Sequence, residues 1–160
     1  MAIHKLVLDE FFEDLNFILI GIHCAIEDYR LGYLLNSYLN IGLKRKQNDL
    51  DYNNGSTYSI FEWIDEKQLI TWNLVSNICK KEQTNKADSN SLFPEQENIL
   101  RTDYLIPEHK KVNYFLKIDD DSSLTHKKRI VNDIQKIPQI VTAYTINPDE
   151  LKSKANLIFD

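Results

Sequence analysis

TYSIFEWIDEKQLITWNLVSNI, residues 57–78, is the stretch whose reading decides the fold class. Thr57 to Ile64 and Leu69 to Ile78 are rich in β-branched and aromatic residues. Between them, Asp65-Glu66-Lys67-Gln68 has the length of a hairpin loop. Pairing Ile64 with Leu69 sets Trp63 opposite Ile70 and Phe61 opposite Trp72. Opposed residues share a face, so both tryptophans and the phenylalanine gather on one side of an antiparallel pair. A one-residue slip would scatter them. The aromatic stripe therefore reads as core.

Upstream, Ile3 to Leu8 reads as a first strand, and Phe17 to Cys24 as a strand buried on both faces because its apolar run is almost unbroken. A helix follows, with Glu27 and Asp28 in the first turn, where carboxylates favour the helix dipole. Leu31, Leu34, Leu35, Tyr38 and Leu39 trace its buried face, and Asn40 and Gly42 end it. Leu43 to Leu50 reads as a third strand, and Asn53-Asn54-Gly55 as a turn. Downstream, residues 80–97 read as a long mobile loop with almost no apolar content. Strands are expected over Asn98 to Ile106 and Val112 to Ile118. Asp119-Asp120-Asp121-Ser122-Ser123 supplies capping chemistry for a helix carrying Ile130, Val131, Ile134 and Ile137. Pro138 closes that helix, and Ile140 to Ile146 is the last strand. The expected architecture is α+β: a mostly antiparallel sheet of about seven to eight strands, with two main helices packed on one face. Residues 1–146 form one domain in this reading, and 147–160 a C-terminal tail.

The chain has 160 residues and a formal net charge of −5, which excludes a generic polyanion binder. Net −4 of that charge falls in residues 1–43, so the acidic first strand–helix corner and the later lysine clusters are different surfaces. Cys24 and Cys79 form no CxxC pair, and two isolated thiols in apolar stretches suit a reducing cytoplasm. The longest apolar run, Phe17 to Ile26, is half the roughly 20 residues needed to span a bilayer. No membrane association is expected.

Ile106-Pro107-Glu108-His109-Lys110-Lys111-Val112-Asn113-Tyr114 resembles the signature of the bacterial IPExxxVDY family. HKLVLDEFFED, EDYRLGYLLN, YSIFEWIDEKQLITWNLVSNICKKE and IPQIVTAYTI look like that family too, in one consistent order along nearly the whole chain. One departure is plain: the signature's Asp is Asn113 here. If that carboxylate were catalytic elsewhere in the family, this chain would lack it. The family is named for its motif and has no assigned activity, so the resemblance implies little about function. Read physically, Pro107 holds Ile106 extended, and Glu108 and Asn113 are expected to fix the turn by side-chain-to-backbone hydrogen bonds. Both also count as candidate binding residues, because loops carry function.

Four scattered glycines cannot build a phosphate-cradling loop, and no GxSxG, HExxH or CxxC occurs. No catalytic residue, metal ligand or cofactor is assigned on this basis. The favoured reading is a binding or interaction domain acting through a protein partner or a second copy. Its candidate residues are Tyr29, Arg30 and Tyr33 on the first helix, together with Glu108 and Asn113. Tyr and Arg are enriched at interface hot spots. The competing structural reading packs those tyrosines on the sheet and pairs Arg30 with a carboxylate. An RNA-binding alternative rests on Lys44, Arg45 and Lys46, weakened because an alternating strand sends Arg45 to the opposite face. A further alternative, an enzyme with a carboxylate or metal site, rests on His23, Glu27 and Asp28.

Overall fold

The computed structural model describes residues 16–52, 54–84, 98–119 and 126–159. The expected strand at Ile3–Leu8 and the capping run Asp120–Ser123 lie outside these residues. In chain order the elements are β1 (Ile18–Cys24), α1 (Asp28–Leu39), β2 (Lys44–Arg45), β3 (Leu50–Asp51), β4 (Thr57–Tyr58) and β5 (Ile60–Asp65). There follow β6 (Ile70–Ser76), β7 (Ile78–Thr84), β8 (Asn98–Tyr104), β9 (Tyr114–Asp119), α2 (His126–Gln135) and β10 (Ile140–Ile146). Six strands form one sheet in the order β10-β1-β9-β6-β5-β2, and every neighbouring pair is antiparallel. Two-stranded ladders β3–β4 and β7–β8 complete the α+β arrangement. No helix among the described residues is long and apolar enough to cross a membrane.

The β5–β6 hairpin places Trp63, Phe61 and Trp72 on one face, as their spacing requires, but the register differs from the expected one by two residues. Trp63 pairs with Trp72, Phe61 with Leu74 and Asp65 with Ile70. A two-residue shift keeps every side chain on its face, so the aromatic grouping survives it. The loop chemistry explains the shift. Asp65 Oδ1 accepts from the N–H groups of Lys67 at 3.1 Å and Gln68 at 3.4 Å, and Leu69 closes the loop in the left-handed region at φ 57°. A leucine there pays a steric penalty that glycine does not. Leu69→Gly is expected to stabilise the protein by about 0.5–1 kcal/mol, raising Tm by roughly 1–4 °C in a thermal melt. A lower Tm contradicts this loop geometry.

β1 lies between β10 and β9, and its almost unbroken apolar run is buried on both faces. On the front face Ile18, Ile20 and Ile22 join Leu74, Leu116 and Ile118 beneath Leu31 and Leu35 of α1 and Ile134 of α2. On the back face Leu19 joins Ile60, Val75 and Phe115, and no α-helix among the described residues covers them. Instead Leu105, Ile106 and Val112 lie over them, with Leu151 and Leu157 from two short 3-10 turns after β10. β1 passes this layer at Gly21, where a Cβ would stand 2.9 Å from Ile146 Cδ1 and 3.1 Å from Val112 Cγ2. The segment after Ile146 thus packs as part of the back core.

α1 ends where expected. Asn40 adopts φ 55° and returns its N–H to Asn36 O, while the Asn36 side chain brackets Leu43 with bonds of 2.8 and 3.0 Å. Three expectations need correction. The strand expected over Leu43–Leu50 is broken into Lys44–Arg45 and the start of β3 at Leu50, because polar Gln47 and Asn48 offer nothing to bury and Arg45 turns its guanidinium onto Asp49. The strand expected over Leu69–Ile78 is split at Asn77, which is fully buried. The stretch from Lys80 to Thr84, read as loop, belongs to β7 and pairs with β8 from Lys80↔Thr102 to Thr84↔Asn98. Residues 85–97 of that expected loop lie outside the described residues.

Candidate functional site

The segment Ile106–Tyr114 closes one end of the sheet, and each of its named residues has a structural partner. Ile106 and Val112 are buried, and Pro107 opens a 3-10 turn after Ile106, held extended at φ −120°, ψ 93°. Glu108 accepts from the Ser153 hydroxyl at 2.7 Å and the Ser153 N–H at 3.1 Å, tying down the C-terminal segment. Burial pushes the Glu108 carboxyl up, but these bonds outweigh it and hold the group below its ordinary value. Asn113 Oδ1 accepts from the Cys24 N–H at 3.1 Å at the end of β1. Tyr114 donates its hydroxyl to Ile26 O at 2.8 Å, and burial pushes that hydroxyl's pKa well up. Glu108 and Asn113 therefore clip distant segments together rather than bracing their own turn.

The turn itself is held by Asn77, which sequence reasoning missed. Its Nδ2 donates to His109 O and Val112 O, both at 2.8 Å, and its Oδ1 accepts from the Ile106 N–H at 2.8 Å. Its own backbone bonds to Asn113 O and to the Leu105 N–H. The only signal in the sequence was a polar residue interrupting a strand pattern.

The remaining candidates separate. Tyr29 and Tyr33, four residues apart, share one helix face with Arg30, and the tyrosines are 66% and 73% exposed. They do not pack on the sheet, and among the described residues Arg30 has no ion-pair partner. Glu108 and Asn113 are not part of that patch. Lys44, Arg45 and Lys46 form no common surface. Lys44 lies opposite Glu62, Arg45 sits over the Phe61 ring with Asp49 and Asp28 beside it, and Lys46 reaches Glu62 at 3.5 Å. His23 bonds through Nε2 to the Tyr144 hydroxyl at 3.0 Å on β10, whereas Asp28 faces Arg45 of β2, the opposite edge strand. Among the described residues no three His, Cys, Asp or Glu side chains converge as a metal ion would require.

A second feature without a sequence signal is Lys117. Its ammonium is buried between the rings of Phe17 and Phe159, at 4.8 and 4.9 Å, with Asp119 Oδ1 at 3.6 Å. Burial holds its pKa below the ordinary lysine value, and Asp119 offsets only part of that. At neutral pH the buried charge is a standing cost. Between the depressed folded value and the ordinary one, the unfolded chain binds more protons, so stability rises with pH. Lys117→Met is expected to match or exceed the parent by up to about 1 kcal/mol at pH 7. Urea midpoints should show that advantage shrinking as the buffer approaches pH 10. A variant markedly less stable at pH 7 would mean that the aromatic cage outweighs desolvation.

Compared with family models, with curated proteins and with solved structures, the chain finds no match.

Proposed function

We propose that the protein is a cytoplasmic binding domain of the IPExxxVDY type, which docks an acidic segment of a partner protein on the outer face of α1. The observation that carries this reading is the state of the charges on the helical layer. α1 and α2 together hold the cations Arg30, Lys127, Lys128 and Arg129 against the carboxylates Asp28 and Asp133. Both carboxylates are already engaged, Asp28 by Arg45 at 4.0 Å and Asp133 by Lys136 at 3.2 Å. None of the four cations has an ion-pair partner among the described residues. An acidic chain thus presents a cationic layer, with Tyr29 and Tyr33 flanking Arg30. Exposed tyrosines beside an unpaired arginine suit a protein interface.

The cytoplasmic part of the reading rests on Cys24 and Cys79, both buried and unbridged. The family part rests on the signature, whose residues all serve the closure at the end of the sheet. RNA is disfavoured because Arg45 and Lys46 are already matched by acids.

A photoreactive side chain at position 33, compared with one at the exposed Gln83 on β7, tests the docking surface in the native cell. The expected result is a protein adduct formed at 33 and not at 83, with acidic peptides recovered from the junction. Equal capture at both positions, or adducts only with RNA or a second copy, would overturn the reading.

A further inference from the structure

The helical layer also encloses a cleft of about 540 Å³ at the end of α1 remote from Tyr29. Leu39 of α1, Ile70 and Trp72 of β6, Ile118 of β9 and Ile130 of α2 form its apolar side, and Gln68, His126, Arg129 and Asp133 its polar side. We infer that this cleft binds a small amphipathic anion: an apolar body of about ten carbon atoms ending in one carboxylate.

The volume lies within the range of roughly 300–1,000 Å³ usual for small-molecule sites. Trp72 is 9% and Ile118 1% exposed, so the floor belongs to the packed front core and does not need to form on binding. Charge selects the anion. Arg129 has no ion-pair partner among the described residues and presents a planar fork suited to a carboxylate. Asp133 also lines the cleft and would repel an anion, but its carboxylate is held by Lys136 at 3.2 Å. A neutral hydrocarbon would leave the guanidinium unused. The cleft is separate from the proposed docking patch: Tyr33 and Leu39 are six residues apart, about 9 Å along the helix. The two readings share only Arg129 of the cationic layer, so a failed Tyr33 crosslink leaves the decanoate test of the cleft intact.

Titration of the full chain with decanoate, followed by calorimetry and by the indole N–H resonance of Trp72, tests the inference. One saturable site that moves the Trp72 resonance is expected, with decanol binding at least about tenfold more weakly for want of a charged partner. Arg129→Gln should weaken decanoate by about tenfold, leave decanol unchanged and leave Tm unaltered, while Arg129→Lys should restore part of the loss. Absence of saturable decanoate binding to the folded protein overturns the proposal. So does an Arg129→Gln variant that binds decanoate as well as the parent.

Discussion

Asn77→Asp is expected to destabilise the protein by about 3–5 kcal/mol at pH 7, among the largest effects of any single substitution. The change alters no volume, so the whole effect is hydrogen-bond chemistry. Asn77 is fully buried, and its amide nitrogen donates to two carbonyls at 2.8 Å. An ionised aspartate keeps the acceptor for the Ile106 N–H but turns both donations into repulsions at a fully buried position. Protonation restores one donor, so the folded state would hold that proton more tightly than the unfolded chain. The deficit should therefore be largest at neutral pH and shrink as pH falls toward the ordinary carboxylate value. Urea unfolding at pH 7 and pH 4 measures both effects. A loss below about 1 kcal/mol at pH 7, the worth of one ordinary hydrogen bond, would remove Asn77 from its central place in the closure.

Phe115→Ala should cost about 3–5 kcal/mol, the usual range for emptying a fully buried aromatic site. Its importance lies in where the loss appears. Phe115 is 0% exposed on the back face, in the same core as Leu151 and Leu157 of the C-terminal segment. Native-state hydrogen exchange should show protection lost first among residues 147–159 and the Ile106–Val112 turn, with α1 amides retaining protection until global unfolding. Uniform loss of protection across α1 and the C-terminal segment would mean that the two faces unfold as one unit.

The back core also marks where sequence reasoning stopped. Helical spacing exposes a helix-covered face directly, which is why α1, its end at Asn40 and the front core were legible. A sheet face covered by turns and 3-10 segments has no comparable period. The β5–β6 register was missed for a local reason, because leucine gives no warning of a left-handed conformation at position 69. Lys80–Thr84 of β7 was read as loop because the β7–β8 ribbon lies outside the main sheet and leaves Ile99 and Leu100 exposed, so no alternation develops. Asn77 was invisible because its partners Ile106, His109 and Val112 lie 29 to 35 residues downstream. Tyr29, Arg30 and Tyr33 were legible as a patch because a helix fixes their spacing. The fate of Arg45 and Lys46 was not, since Asp28, Asp49 and Glu62 reach them from other elements or across a bend.

Recognition of an acidic protein segment is proposed for the outer face of α1, through Arg30 and its flanking tyrosines. The most direct measurement is the yield of protein adduct at a photoreactive position 33 when Arg30→Glu is introduced in the same chain. Arg30 is exposed and unpaired among the described residues, so the substitution should leave Tm unchanged. The expected yield is at least about tenfold lower, as reversal of a hot-spot charge implies. An undiminished yield from the folded variant would contradict it.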